Sequence, residues 1–291
     1  MSSILTNSSA INALATLKDV NRGLNQTQDR VSTGLKVASG KDNAAYFAVS
    51  ETMKGDSGMF KAINEGMTAT KNSVATARLG AETVADIAQQ IVERVAFAQT
   101  DGVDRADVQL EIDALVKNMG TAIEQATFNG DNLVDGNSMD GTADSNPDNS
   151  VIVTNGVTRS GGTFATTTFK FEGVNLDAIK TAFEGIKVYS ETSGTPDVID
   201  MEQALQDAEA ELAASIEAAT SLGITENALD GQMQFIDSLT DTLDSGVSSM
   251  VDADMEEEAA RLQAYQVQQQ LATQSLSIAN QAPQNILSLF R

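Results

Sequence analysis

Apolar residues recur along most of this chain in steps of three and four, the spacing of a single helix face. Near the start they fall at Ile4, Ile11, Leu14, Leu17, Val20, Leu24 and Val31, which predicts one amphipathic helix. The pattern breaks at Ser32-Thr33-Gly34 and again at Ser39-Gly40-Lys41-Asp42, a turn-rich connector. It returns as Ile63, Met67, Thr70, Val74, Ala77, Ala81, Val84, Ala88, Ile91, Val95 and Ala98, with Thr70 the single polar member. A seam of that extent predicts a helix about 60 Å long at about 1.5 Å per residue. Thr100-Asp101-Gly102 closes it. Asp104 is placed to cap the next helix, with Asp107 near its positive end. Val108, Ile112, Leu115, Met119, Ala122 and Ala126 carry that helix to Phe128-Asn129-Gly130, which reads as its closing turn at positive φ. The short connection predicts antiparallel packing of the two helices.

The pattern then changes. Gly, Ser, Thr, Asn and Asp crowd Asp135 to Ser150, and strand-like runs follow at Val151–Thr154 and Thr163–Phe171. Asn155-Gly156 reads as a hairpin turn, Leu176–Phe183 as a short helix and Ile186–Tyr189 as a further strand. Helical spacing resumes at Leu205 and continues through Ala208, Leu212, Ser215, Ala219, Leu222, Glu226, Leu229, Met233, Ile236, Thr240, Leu243, Val247 and Met250. An extra step of three near Asp252 shifts the seam within a stretch read as continuous helix. Beyond it the seam runs through Ala253, Glu257, Ala260, Ala264, Val267, Leu271, Gln274, Ile278 and Ala282. The expected fold class is mainly α, a long antiparallel helical bundle or coiled coil formed by the N- and C-terminal arms, with a small β-rich insert.

Composition narrows the function. Among the 291 residues there is no His, Cys or Trp, which removes disulfides, His- or Cys-ligated metals and His relays. The formal net charge of −23 argues against nucleic acid and anionic membrane as partners. From Glu191 to Glu258 there are 18 acidic residues and no Lys or Arg, whereas Ala259 to Arg291 has no acid and eight glutamines. Met1 to Leu17 carries no charged side chain, so no Sec-type signal peptide is read there. The cluster Asp252, Asp254, Glu256, Glu257 and Glu258 is the best metal or catalytic candidate, but Glu257 stands where a calcium loop needs Gly. It reads as a solvated helix face. No catalytic, cofactor-binding or metal-binding residue is assigned and no cofactor is expected. A carboxylate-only secreted hydrolase is a remote alternative.

Four motifs occur in one order. Arg30-Val31-Ser32-Thr33-Gly34-Leu35-Lys36 leads through Ser39-Gly40-Lys41-Asp42-Asn43-Ala44-Ala45; then come Thr127-Phe128-Asn129-Gly130 and Val251-Asp252-Ala253-Asp254-Met255; and Ile278-Ala279-Asn280-Gln281-Ala282-Pro283-Gln284-Asn285-Ile286-Leu287-Ser288-Leu289-Phe290-Arg291 closes the chain. Together they resemble bacterial flagellins over roughly 1–135 and 200–291. The resemblance implies a subunit that polymerises into the extracellular flagellar filament used for swimming. Its implied parts are an inner coiled-coil arm (1–33), a connector (34–43), rod helices (44–135), a β-rich outer insert (136–198), a C-terminal rod helix (199–250) and a second inner arm (251–291).

It also implies type III export without a cleaved signal, an export chaperone on the C-terminal arm, and the filament cap as a partner besides the subunit itself. The hook–filament junction protein, with similar terminal helices, is the alternative. The expected polymerisation seam is Ile4, Ile11, Leu14, Leu17, Leu24, Val31, Val267, Leu271, Ile278, Leu287 and Phe290. Such narrow seams bury little within one subunit, so both arms are expected to be largely disordered before assembly. The segment Glu93-Arg94-Val95-Ala96-Phe97 departs from the Arg-Glu-Leu-Ala-Val-type stretch by which an innate immune receptor detects many flagellins, so weak activation is expected. The Ser- and Thr-rich insert is a plausible site of O-glycosylation.

Overall fold

Each long helix begins where a side chain satisfies its first free N–H groups. The Asn7 side chain accepts from the Ala10 amide to start α1 (Ser8–Thr33), and Asn43 accepts from the Ala45 and Tyr46 amides to start α2 (Ala44–Ala98). Asp104 caps α3 (Arg105–Gln125) through the Ala106 amide, with Asp107 in its first turn, as expected. Asp200 caps α5 (Met201–Val251) and Asp254 caps α6 (Met255–Ser288), each accepting from two backbone amides. Between α3 and α5 lie the short strands β1 (Thr127–Phe128) and β2 (Asp131–Asn132), the longer β3 (Ser150–Ser160) and β4 (Thr163–Glu172), helix α4 (Leu176–Gly185), and the short strands β5 (Glu191–Thr192) and β6 (Thr195–Pro196). This computed structural model describes residues 7–136, 150–160, 163–192, 195–196 and 199–288. The chain is mainly helical with a small β-rich insert. It divides into one unit of residues 1–58 with 241–291 and another of residues 59–240, and α2 and α5 supply residues to both.

In the 59–240 unit the predicted seam of α2 forms the core. Met67, Val74, Ala77, Ala81, Val84, Ala88, Ile91, Val95 and Ala98 are fully buried, joined from α5 by Ala208, Ser215, Leu222, Leu229 and Ile236. Their partners descend along α5 as they ascend along α2, so the pair is antiparallel. Asn64 donates to Asp237, Lys71 pairs with Asp230, and Arg78 Nε lies 2.8 Å from Glu226. Hydrogen bonding to Glu226 and then Glu82 pushes the Arg78 guanidinium above its ordinary pKa. Helix α3 returns along α2, with Arg105 donating to the Ala98 carbonyl at 3.1 Å and Arg94 facing Glu111 at 3.4 Å. The two approach so closely at Gly80 that a Cβ there would lie 2.5 Å from that of Ala126.

Three readings of the sequence are corrected here. Helix α3 ends at Gln125, and Asn129 (φ 53°) and Gly130 (φ 93°) form the corner of the β1–β2 hairpin rather than a helix terminus. Both residues do adopt positive φ, the requirement of a type I′ turn. Asn155-Gly156 is no turn: β3 runs through it, and the β3–β4 register shifts between Thr154 and Gly156, a bulge. Ile186–Tyr189 is not a strand. The amides of Val188 and Tyr189 donate instead to the Gln109 side chain, at 2.8 and 3.3 Å. Buried Gln109 on α3 thus replaces a neighbouring strand, while Ile186 and Val188 supply the apolar burial that suggested one.

Candidate functional site

The chain ends meet in the other unit. Helix α1 packs on α6, and four cross-contacts define an antiparallel pair. Asn7 donates to the Ala279 carbonyl at 2.8 Å, Gln269 to Asn21 at 2.6 Å, and Arg30 to Glu258 at 3.1 Å. The Tyr265 ring lies over Gly23, where a Cβ would come within 2.6 Å of it. Along α1 the buried or half-buried positions are Ala10, Ala13, Leu17, Val20, Asn21, Gly23, Leu24, Thr27, Arg30 and Val31; along α6 they are Glu258, Leu262, Tyr265, Gln269, Ala272, Leu276 and Ala279. Small and polar residues make up more than half of this list, so the pair is thin.

The predicted polymerisation seam divides between two surfaces. Leu17, Leu24 and Val31 are half-buried within the pair. Ile11, Leu14, Val267, Leu271 and Ile278 are 43–63% exposed. Ile4, Phe290 and the Leu287 side chain lie outside the described residues. The split follows from helix geometry. A step of three turns the face back by about 60°, so the run 11, 14, 17, 20 drifts from one side of α1 to another. On α6 the Val267–Leu271–Ile278 stripe is roughly 150° from the face packed against α1, on the same residue angle of about 100°. Sequence reasoning found the outer stripe of α6 and missed the inner one, because Gln269, Ala272 and Ala279 are weak apolar signals.

The acidic stretch is also corrected. Helix does not continue through it: α5 stops at Val251 and α6 starts at Met255. The break is clasped to the connector, with Lys36 and Val37 amides donating to the Val251 carbonyl and the Ala253 amide to the Gly34 carbonyl at 2.9 Å. Leu35 and Asp252 form an isolated antiparallel bridge, and Val37, Val247 and Val251 seal a small core beside it. Gly34 makes the turn at φ 74°, its amide closing α1 on the Arg30 carbonyl. Of the five acids, Asp254 is a cap and Glu257 pairs with Arg261. Glu258 is no solvated residue. It is 4% exposed and accepts from Arg30 and Arg261 through one oxygen, while the other is buried with no protein partner. Among the described residues no group of three potential metal ligands converges, and no helix is long and apolar enough to cross a membrane.

The terminal pair therefore leaves Ile11, Leu14, Val267, Leu271 and Ile278 exposed. The N-terminal helical region of bacterial flagellin matches residues 4–139, and the C-terminal helical region matches residues 204–290. The chain is 37% identical to Flagellin of Brucella melitensis biotype 1 over all of both chains. It is 33% identical to Flagellin FljM of Caulobacter vibrioides over all of this chain and 99% of that one, and 32% identical to Flagellin C of Rhizobium meliloti over all of both. A solved Vibrio parahaemolyticus chain described as hook-associated covers 74% of this one at 11% identity and a TM-score of 0.47, too slight a likeness to weigh on function. End-to-end identity to flagellins, on a framework whose first and last helices pair, makes this chain a member of the bacterial flagellin family and a structural subunit of the flagellar filament.

Proposed function

We propose that the subunit joins the filament through the outer stripe of its terminal pair, Ile11 and Leu14 on α1 with Val267, Leu271 and Ile278 on α6. One observation carries the reading: these five large apolar side chains stay exposed after α1 and α6 have packed on each other. Burying such a side chain against a neighbour contributes about 1.5–3 kcal/mol. Ordering two helices absorbs much of that gain, so the arms become firm only in the polymer. The absence of charge on α6 beyond Arg261 suits an inner layer in contact with other subunits.

The same reading makes the filament extracellular, with a chaperone holding α6 beforehand and the cap receiving the subunit at the growing tip. The exposed apolar face of α6 supports the chaperone. The protein's role is structural, without turnover. Its carboxylates serve singly as helix caps and interhelical ion pairs, as Asp254, Glu226 and Asp230 do.

Electron microscopy of purified subunits supplied with filament seeds tests this. The parent elongates the seeds, and the double variant Leu271→Glu/Ile278→Glu does not while keeping its helical circular dichroism. Elongation of the variant at the parent rate overturns the assignment of the stripe.

A further inference from the structure

The packed face of the terminal pair is degenerate. On α1, Ala10, Leu17, Leu24 and Val31 are each seven residues apart, and α6 repeats at the same interval. Moving one helix along the other by seven residues, about 10 Å, would again set mostly small and apolar positions against each other, with Thr27, Glu258 and Gln269 the polar members of the repeating faces. Apolar burial alone therefore leaves the register open.

Two contacts above all are not repeated. Gly23 is the only glycine of α1, and the Tyr265 ring occupies the space its missing Cβ leaves. After a seven-residue slip Tyr265 would face Thr16 or Arg30, each with a side chain in the way. Glu258 is buried against Arg30, with Arg261 on the same oxygen. After a slip in one direction it would face Gly23 and lose the cation of α1. In the other it would pass the end of that helix. A buried carboxylate stripped of one partner destabilises strongly, so the register that sets Glu258 against Gly23 is penalised twice; in the other, Glu258 leaves the pair and the clash of Tyr265 with Arg30 carries the penalty.

We infer that Gly23–Tyr265 and Arg30–Glu258 form a register lock that selects one alignment of the first and last helices from several of similar apolar burial. Glu258 and Arg30 are positioning residues. They align the half-stripe Ile11–Leu14 of α1 with the half-stripe Val267–Ile278 of α6. The bearing on assembly rests on the filament reading above; the lock itself lies within one chain and does not.

The chain has no cysteine, so the register can be read by disulfide formation. Asn21→Cys with Gln269→Cys reports the observed register, because those side chains already touch. Asn21→Cys with Leu276→Cys, or with Leu262→Cys, reports a slip of seven either way, since the observed alignment holds those Cα atoms beyond the reach of about 7 Å for a disulfide. In otherwise parental chains under mild oxidation only the first pair closes. With Gly23→Leu and Arg30→Glu added, a slipped pair closes at least tenfold more than in the parent. With Arg30→Glu alone, closure of the observed pair falls, and adding Glu258→Arg restores it.

Closure of the observed pair alone in the Gly23→Leu/Arg30→Glu chain overturns the lock. So does a loss in Arg30→Glu that the charge exchange fails to restore, because Glu258 would then contribute packing and no alignment. Seeded growth of the parent is scored separately. Its failure would count against the filament reading and leave the crosslinks to judge the lock.

Discussion

The same helical periodicity produces two different seams here. Between α2 and α5 in the 59–240 unit it closes around residues at most 1% exposed, among them Met67, Val74 and Ile91 on one side and Leu222, Leu229 and Ile236 on the other. Between α1 and α6 it closes around half-buried leucines and Tyr265 interspersed with alanines, a glycine, a glutamine and an ion pair, and leaves five large apolar side chains outside. The first seam stabilises a lone subunit. The second leaves Ile11, Leu14, Val267, Leu271 and Ile278 exposed, the surface proposed above for contacts with other subunits.

The sharpest way to break the comparison is proteolysis. Residues near 1–30 and 260–291 are expected to be cut more than about tenfold faster than α2 in free subunits, following the low stability of segments with few buried contacts, and to be protected in filaments. Equal resistance in the two states would erase the contrast. Next comes truncation in the firm seam: Ile91→Ala should lower the unfolding free energy of the free subunit by about 2–5 kcal/mol, measured by urea titration. A loss under about 1 kcal/mol would show that α2 and α5 are also loosely packed.

Removing the cap of α6 is a smaller change. Asp254→Ala should cost about 0.5–2 kcal/mol of helix stability and fray the start of α6, visible as faster amide exchange at Glu256 and Glu257. Smallest of all in the free subunit is Leu271→Ala, expected to stay within about 0.5 kcal/mol of the parent because the side chain is already exposed. Its effect should appear only as a raised critical concentration for seeded growth. A large loss in the free subunit would mean that Leu271 is buried there.

The immune-receptor expectation adds a separate check on the firm seam. Within Glu93–Phe97, Val95 is wholly buried, Phe97 is half-exposed, and Arg94 is engaged by Glu111. A reporter assay should register weak activation, and a potent response would reverse that expectation.

How much was legible in the sequence follows the same division. The α2 and α5 seams were readable because the alternation of threes and fours runs almost unbroken over many turns, long enough to outweigh scattered apolar residues on the other face such as Leu79, Ile224 and Phe235. The capping role of Asp104 was readable from side-chain chemistry alone. On α6 the pattern offered two faces, and following steps of three and four from Ala253 selected Val267, Leu271 and Ile278, the face that does not meet α1. The burial of Glu258 was hidden as well, since its cation Arg30 lies 228 positions away. Gln109 escaped for a related reason, because its partners are backbone amides that become available only once Ile186–Tyr189 fails to pair as a strand.

The clasp between the connector and the α5–α6 break is made of main-chain groups, which every residue type except proline supplies in full. Mutation can therefore rewrite the exposed side chains Lys36 and Asp252 without erasing the joint, whereas Leu35, Val37 and Val251 are held by the small core they form. Gly34 is constrained in a different way. A methyl group there would touch nothing within 4 Å, yet the backbone is held at φ 74°. What selection would guard at that position is a dihedral angle, and the chemistry around it can change.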